Sequence, residues 1–77
     1  MRKQGYFILM LLANYPLHAN RLKEELLQSP HFRDSEDVDI WIERLTTKDC
    51  IQLKDDKYFA TQRGLDKLIN RFLKKEI

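Results

Sequence analysis

Eight consecutive residues, Tyr6 to Ala13, carry no charge and no side-chain amide. An apolar run without a polar side predicts a helix enclosed by protein, from about Gln4 to Asn14, at the centre of the core. Pro16 ends it, since proline lacks an amide proton and disfavours helix in the residue before it, so Tyr15 to His18 is expected to run extended as a short edge strand. From Ala19 to Gln28, Ala19, Leu22 and Leu26 share one face while Arg21, Lys23, Glu24 and Gln28 point elsewhere, which predicts an amphipathic second helix. Ser29-Pro30-His31 interrupts it. A third helix is expected from Asp34 or Ser35, both good N-caps, with Glu36 and Asp37 suited to the positive end of the helix dipole.

On this third helix Val38, Trp41, Ile42 and Leu45 recur at helical spacing and form the buried stripe, with Trp41 a core residue. The opposite face holds Glu36, Ile40, Glu43 and Thr47, flanked by Asp39 and Arg44. Two short β-like runs follow, Asp49 to Lys54 and Lys57 to Thr61, with Ile51 and Leu53 on one side and Asp55-Asp56 at the bend. Thr61 can cap a last helix, Gln62 to about Glu76, striped by Leu65, Leu68, Ile69 and Phe72. The expected fold is mainly α with a small β-hairpin, an α+β arrangement in the order α-β-α-α-β-β-α.

At 77 residues the chain has room for one domain, 1–77. A hydrophobic share of 43% with two Gly and two Pro excludes collagen-like and disordered classes. A domain this small buries only about 60 to 65% of the surface its unfolded chain exposes, so a second copy covering apolar surface would help it. Met1-Arg2-Lys3 before the apolar run superficially matches a secretory signal, but Asn14-Tyr15-Pro16 supplies no small-x-small cleavage site. Eight apolar residues also fall well short of the roughly twenty that span a bilayer, so no membrane partner is expected. The lone Cys50 makes no internal disulfide and reads as a small apolar filler in a reducing, cytoplasmic compartment. His18 and His31 stand apart from any ligand set or catalytic partner, so no metal, no cofactor and no enzymatic activity are expected.

The net charge of +2 is uninformative, but its distribution is not. Residues 1–33 carry five basic and two acidic groups, residues 34–43 five acidic and no basic ones, and residues 44–77 nine basic and five acidic.

The stretch Phe7 to Leu26, FILMLLANYPLHANRLKEEL, resembles the first two helices of PadR-like transcriptional regulators, with Pro16-Leu17-His18 as the specific element. The stretch Ile42 to Leu68, with its apolar pair, polar turn, Tyr58 and Thr61-x-x-Gly64, is similar to the recognition-helix end, wing and following helix of PadR-like and MarR-like winged-helix proteins. Where the PadR pattern has Gly and an aromatic after Pro-Leu-His, this chain has Ala19 and Asn20. The resemblance implies a winged helix-turn-helix regulator of transcription that reads duplex DNA with its third helix while the wing lies beside a phosphate strand. Carried onto this chain, the contacting residues would be Asn20, Arg21, Ser35, Glu36, Asp39, Ile40, Glu43, Arg44, Thr47, Lys54 and Lys57.

Charge supports this only in part. Lys54, Lys57, Arg21, Lys23, Arg2 and Lys3 can each offset a phosphate, whereas Asp55 and Asp56 at the wing tip and Glu36 and Glu43 on the reading helix oppose one. The alternative is a protein partner docking on Glu36, Ile40 and Glu43, and the sign of the surface around the third helix and wing separates the two. The last helix sets Arg63, Lys67, Arg71 and Lys74 opposite its apolar stripe, a solvated face, or a strip for nucleic acid or an acidic partner, or one that meets the acidic third helix of another copy. A homodimer is also expected, built on Phe7, Leu11, Phe72, Leu73 and Ile77 at the two ends of the chain.

Overall fold

A computed structural model describes the backbone of residues 2–76 and the side chains of residues 2–73. Four helices, α1 (Lys3–Asn14), α2 (Ala19–Gln28), α3 (Ser35–Thr47) and α4 (Gln62–Glu76), surround three short strands, β1 (Leu17–His18), β2 (Ile51–Lys54) and β3 (Lys57–Ala60). The chain is thus mainly helical with a small antiparallel sheet, in the expected order of elements. The sheet has one strand more than the hairpin alone, because β1 joins β3 and gives the order β1-β3-β2. Leu17 faces Tyr58 and His18 faces Lys57 across that added pair.

Local chemistry explains the element ends. The Asp34 side chain accepts from the Asp37 amide at 2.9 Å and caps α3, while an Asp37 carboxylate oxygen accepts from the Arg33 amide at 3.2 Å. At the other end Asp49 takes a left-handed φ of 61°. There the Cys50 and Asp49 amides donate to the carbonyls of Leu45 at 2.9 Å and Thr46 at 3.0 Å, the pairing that closes a helix by the Schellman motif. Asp55 and Asp56 are left-handed in succession, φ 53° and 64°. That is the two-residue turn whose twist matches a hairpin, and it sets Lys54 opposite Lys57.

The core is one cluster of Ile8, Leu9, Leu12, Leu22, Leu26, Phe32, Val38, Trp41, Ile42, Leu45, Cys50, Ile51 and Leu68. All four residues of the α3 stripe are buried, Trp41 included, and β2 packs beside α3. Helix α1 touches α3, β3 and α4. One junction ties three segments together. The Cys50 carbonyl accepts from the Thr61 amide at 3.0 Å, the Thr61 hydroxyl donates to the Asp49 carbonyl, and Thr61 Oγ1 accepts from the Gly64 amide at 3.1 Å. Gly64 is there because α4 passes directly over that carbonyl, where a Cβ would lie 2.2 Å from the Cys50 oxygen.

Three expectations need correction. Helix α1 is not enclosed on all sides: Gly5, Ile8, Leu9 and Leu12 are buried, but Ala13 is exposed and Met10 is half exposed at the margin of α4. On α4 only Leu68 of the apolar stripe is buried, while Ile69 and Phe72 are half exposed, because α4 lies along the edge of α1. Leu53 is exposed although Ile51 is buried, as the hairpin projects beyond the core. Phe32, in the loop before α3, is a core residue that periodicity did not mark; Phe7 packs on it at a ring separation of 6.4 Å.

Candidate functional site

The outward face of α3 is built by helical period alone. With Val38, Trp41, Ile42 and Leu45 turned inward, Glu36, Ile40, Glu43 and Thr47 share the opposite side, all exposed. Ile40 is 41% exposed, an apolar side chain standing among carboxylates. It lines a shallow hollow of about 320 Å³ with Glu43, Arg44, Thr47 and Lys48. The guanidinium of Arg44 lies 5.1 Å from the Trp41 ring centre, a cation–π contact that holds it to the flank.

A second hollow of about 300 Å³ separates α3 from α2 and the sheet, lined by Lys23, Asp39, Ile42, Glu43, Thr46, Thr47 and Tyr58. Across it Lys23 Nζ stands 3.4 Å from Asp39 Oδ1. Arg21 pairs with Glu25 at 2.9 Å, and Arg33 Nε lies 4.0 Å from Asp37. Glu36 and Glu43 have no ion-pair partner among the described residues. Arg21, Lys23 and Arg33 are thus paired, whereas Glu36 and Glu43, and Arg44 and Lys48 beside the Ile40 hollow, are in no ion pair among the described residues.

The other residues singled out from the sequence fall around this face. Ser35 opens α3, exposed, but Asp34 does the capping. Asn20, exposed at the start of α2, lines a hollow with His18, Ala19 and Asp56. The Ala19 amide donates to the Asp56 carbonyl at 2.9 Å, which fastens the hairpin turn to the start of α2. Lys54 and Lys57 are both exposed on either side of that turn, beside Asp55 and Asp56.

Charges summed over α2, α3 and the hairpin give five cations against eight carboxylates, whereas α4 alone carries five cations against two. The molecule is electrically polarised, acidic at α3 and basic at α4.

The residues expected to join two copies are divided by the structure. Phe7 and Leu11 are half-buried against the core, Phe72 and Leu73 are 50% and 54% exposed, and Ile77 lies outside the described residues. What the sequence reading missed is that α1 and α4 together form a groove, to which Tyr6, Met10, His31 and Arg71 contribute. Its only sequence signal is the excess of apolar residues on both helices. Among the described residues no group of three or more His, Cys, Asp or Glu could hold a metal ion, and no helix is long and apolar enough to cross a membrane. Comparison with known proteins gives no match: no family model fits the chain, and no curated protein and no solved structure is significantly similar to it.

Proposed function

We propose that this domain is a winged helix-turn-helix module that binds a protein partner bearing a basic, partly apolar segment, using the outward face of α3. The order of elements, the β1-β3-β2 sheet and the resemblance to PadR-like and MarR-like regulators support the winged-helix assignment. The fold leaves the ligand open, because one scaffold hosts many functions. The single observation that carries the protein reading is the crown of α3, where Ile40 stands exposed with Glu36 and Glu43, neither of them ion-paired among the described residues. An apolar anchor with unpaired carboxylates on one side, Glu36 and Glu43, and Arg44 and Lys48 on the other selects a complementary partner, the charges steering approach and the anchor holding it.

A second reading, a sequence-specific regulator contacting duplex DNA, is favoured by Lys54 and Lys57 facing each other beside the wing turn and by Arg44, Thr47 and Lys48 at the end of α3. It has to overcome the excess of carboxylates over cations on α2, α3 and the wing, which a phosphate backbone repels.

One pair of titrations tests both readings on the isotope-labelled chain. A helical peptide with a leucine row flanked by lysines is expected to shift the α3 amides, and Ile40→Asp to weaken it at least tenfold. A mixed-sequence duplex is expected to bind only weakly at physiological salt. Tight duplex binding whose log–log salt slope flattens by about one unit per lost contact in Lys54→Ala with Lys57→Ala would transfer the function to DNA.

A further inference from the structure

A second docking feature shares no lining residue with the α3 face. Helices α1 and α4 leave between them a groove of about 280 Å³ lined by Lys3, Tyr6, Phe7, Met10, His31, Leu68, Arg71 and Phe72. Its floor is apolar and continues outward over side chains that the fold leaves half exposed: Met10 at 49%, Phe72, and next to it Ile69 at 52% and Leu73. A contiguous apolar surface of this kind on a chain of this size marks a contact site.

The rim has one sign. Helix α1 contains no carboxylate, and the groove lining contains none either. Lys3 stands at one end, and the Arg71 guanidinium lies 4.3 Å from the Tyr6 ring centre, held over the groove edge. Arg63, Lys67 and Arg71 follow at four-residue spacing along the adjoining flank of α4. The carboxylate nearest them in sequence, Asp66, accepts from the Gln62 side-chain amide at 2.9 Å.

We infer that this groove takes an acidic amphipathic helix from another protein, its apolar row lying over Met10 and Phe72 and its Asp or Glu side chains meeting Lys3, Lys67 and Arg71. The mode is helix-in-groove recognition, in which apolar anchors at helical spacing supply the affinity and rim charges fix orientation. Charge argues against the alternative occupant, a second copy seated on the same face, since a two-fold contact puts each patch against its own image and so sets Lys3 and Arg71 near their counterparts.

The proposal is tested by binding a fluorescent helical peptide of about four turns, carrying a Leu and Phe row flanked by glutamates, and its twin with glutamine for glutamate. The glutamate peptide is expected to bind at least tenfold more tightly than the twin, and the gap to close at high salt. Met10→Asp with Phe72→Asp should lower its affinity at least tenfold, as should Lys67→Glu with Arg71→Glu, with the melting temperature little changed because these side chains are at least partly exposed. Ile40→Asp should leave this binding intact, which keeps the result separate from the α3 reading. Equal affinity for the two peptides, or loss of binding in Ile40→Asp, overturns the proposal. So does sedimentation of the unmutated chain as a salt-resistant dimer that Leu73→Lys disperses, because the face would then be covered by a second copy.

Discussion

Replacing Gly64 by alanine should destabilise the domain, even though alanine is the better helix former. A Cβ at that position would lie 2.2 Å from the Cys50 carbonyl oxygen, 2.9 Å from Leu9 Cδ2 and 3.0 Å from the Cys50 carbonyl carbon. An ordinary carbon–oxygen contact is about 3.2 Å or more, so something has to give by about 1 Å. Neither neighbour yields cheaply: the carbonyl is held by the Thr61 amide at 3.0 Å, and Leu9 is fully buried. Pushing the carbonyl away would break that hydrogen bond and leave a buried acceptor unpaired, at about 1 to 3 kcal/mol. Moving α4 off its seat instead costs a similar amount, as overpacking does elsewhere. The gain in helix propensity returns at most about 1 kcal/mol. The net is a loss of about 1 kcal/mol, which in a domain this small lowers the melting temperature by about 4 to 8 °C. Thermal melts followed by far-ultraviolet circular dichroism would measure it, with exposed Arg63→Ala in the same turn as the control. A Gly64→Ala variant melting at or above the parent would refute the claim that α4 rides on the Cys50 carbonyl.

Two further changes probe the segments that present the proposed sites. Asp34→Ala removes the side chain that caps α3 and should cost about 1 kcal/mol, lowering the melting temperature by about 4 to 8 °C, while Asp34→Asn should recover most of the loss. Asp56→Gly relieves a left-handed residue at φ 64° and should stabilise by about 0.5 to 1 kcal/mol, seen as a higher urea midpoint with an unchanged slope; a lower midpoint would mean that the aspartate side chain does more than tolerate the turn.

The elements and the α3 face were legible because their information is local. Val38, Trp41, Ile42 and Leu45 determine by period which side turns inward, and with it which side presents Glu36, Ile40 and Glu43. Pro16, Asp34 and the Asp55-Asp56 pair act on their own neighbours in the chain. What could not be read depends on distant partners. Phe32 lies in a non-periodic stretch and is buried only because Phe7 and the core come to meet it. Ile69, Phe72 and Met10 have the composition of core residues, and only the position of α1 beside α4 decides that they stay half uncovered. The Lys23–Asp39 pair joins two helices and withdraws a cation that the sequence would have counted as free. The groove, a property of the first and last helices of the chain, had no pattern of its own.

The two-residue strand β1 has a mechanical consequence out of proportion to its length. Its pairs fall on Lys57 and Tyr58, the half of β3 next to the turn, and the hydrogen bond that the Ala19 amide donates to the Asp56 carbonyl lies one step further out. The hairpin is therefore braced near its free end as well as at its root on Cys50 and Thr61, like a beam supported at both ends. Helix α2 and the hairpin must tilt together, so a partner spanning α3 and the hairpin would meet a surface already assembled. It has to still only side chains such as Lys54 and Lys57, at about 0.5 to 1.5 kcal/mol each, and not a strand.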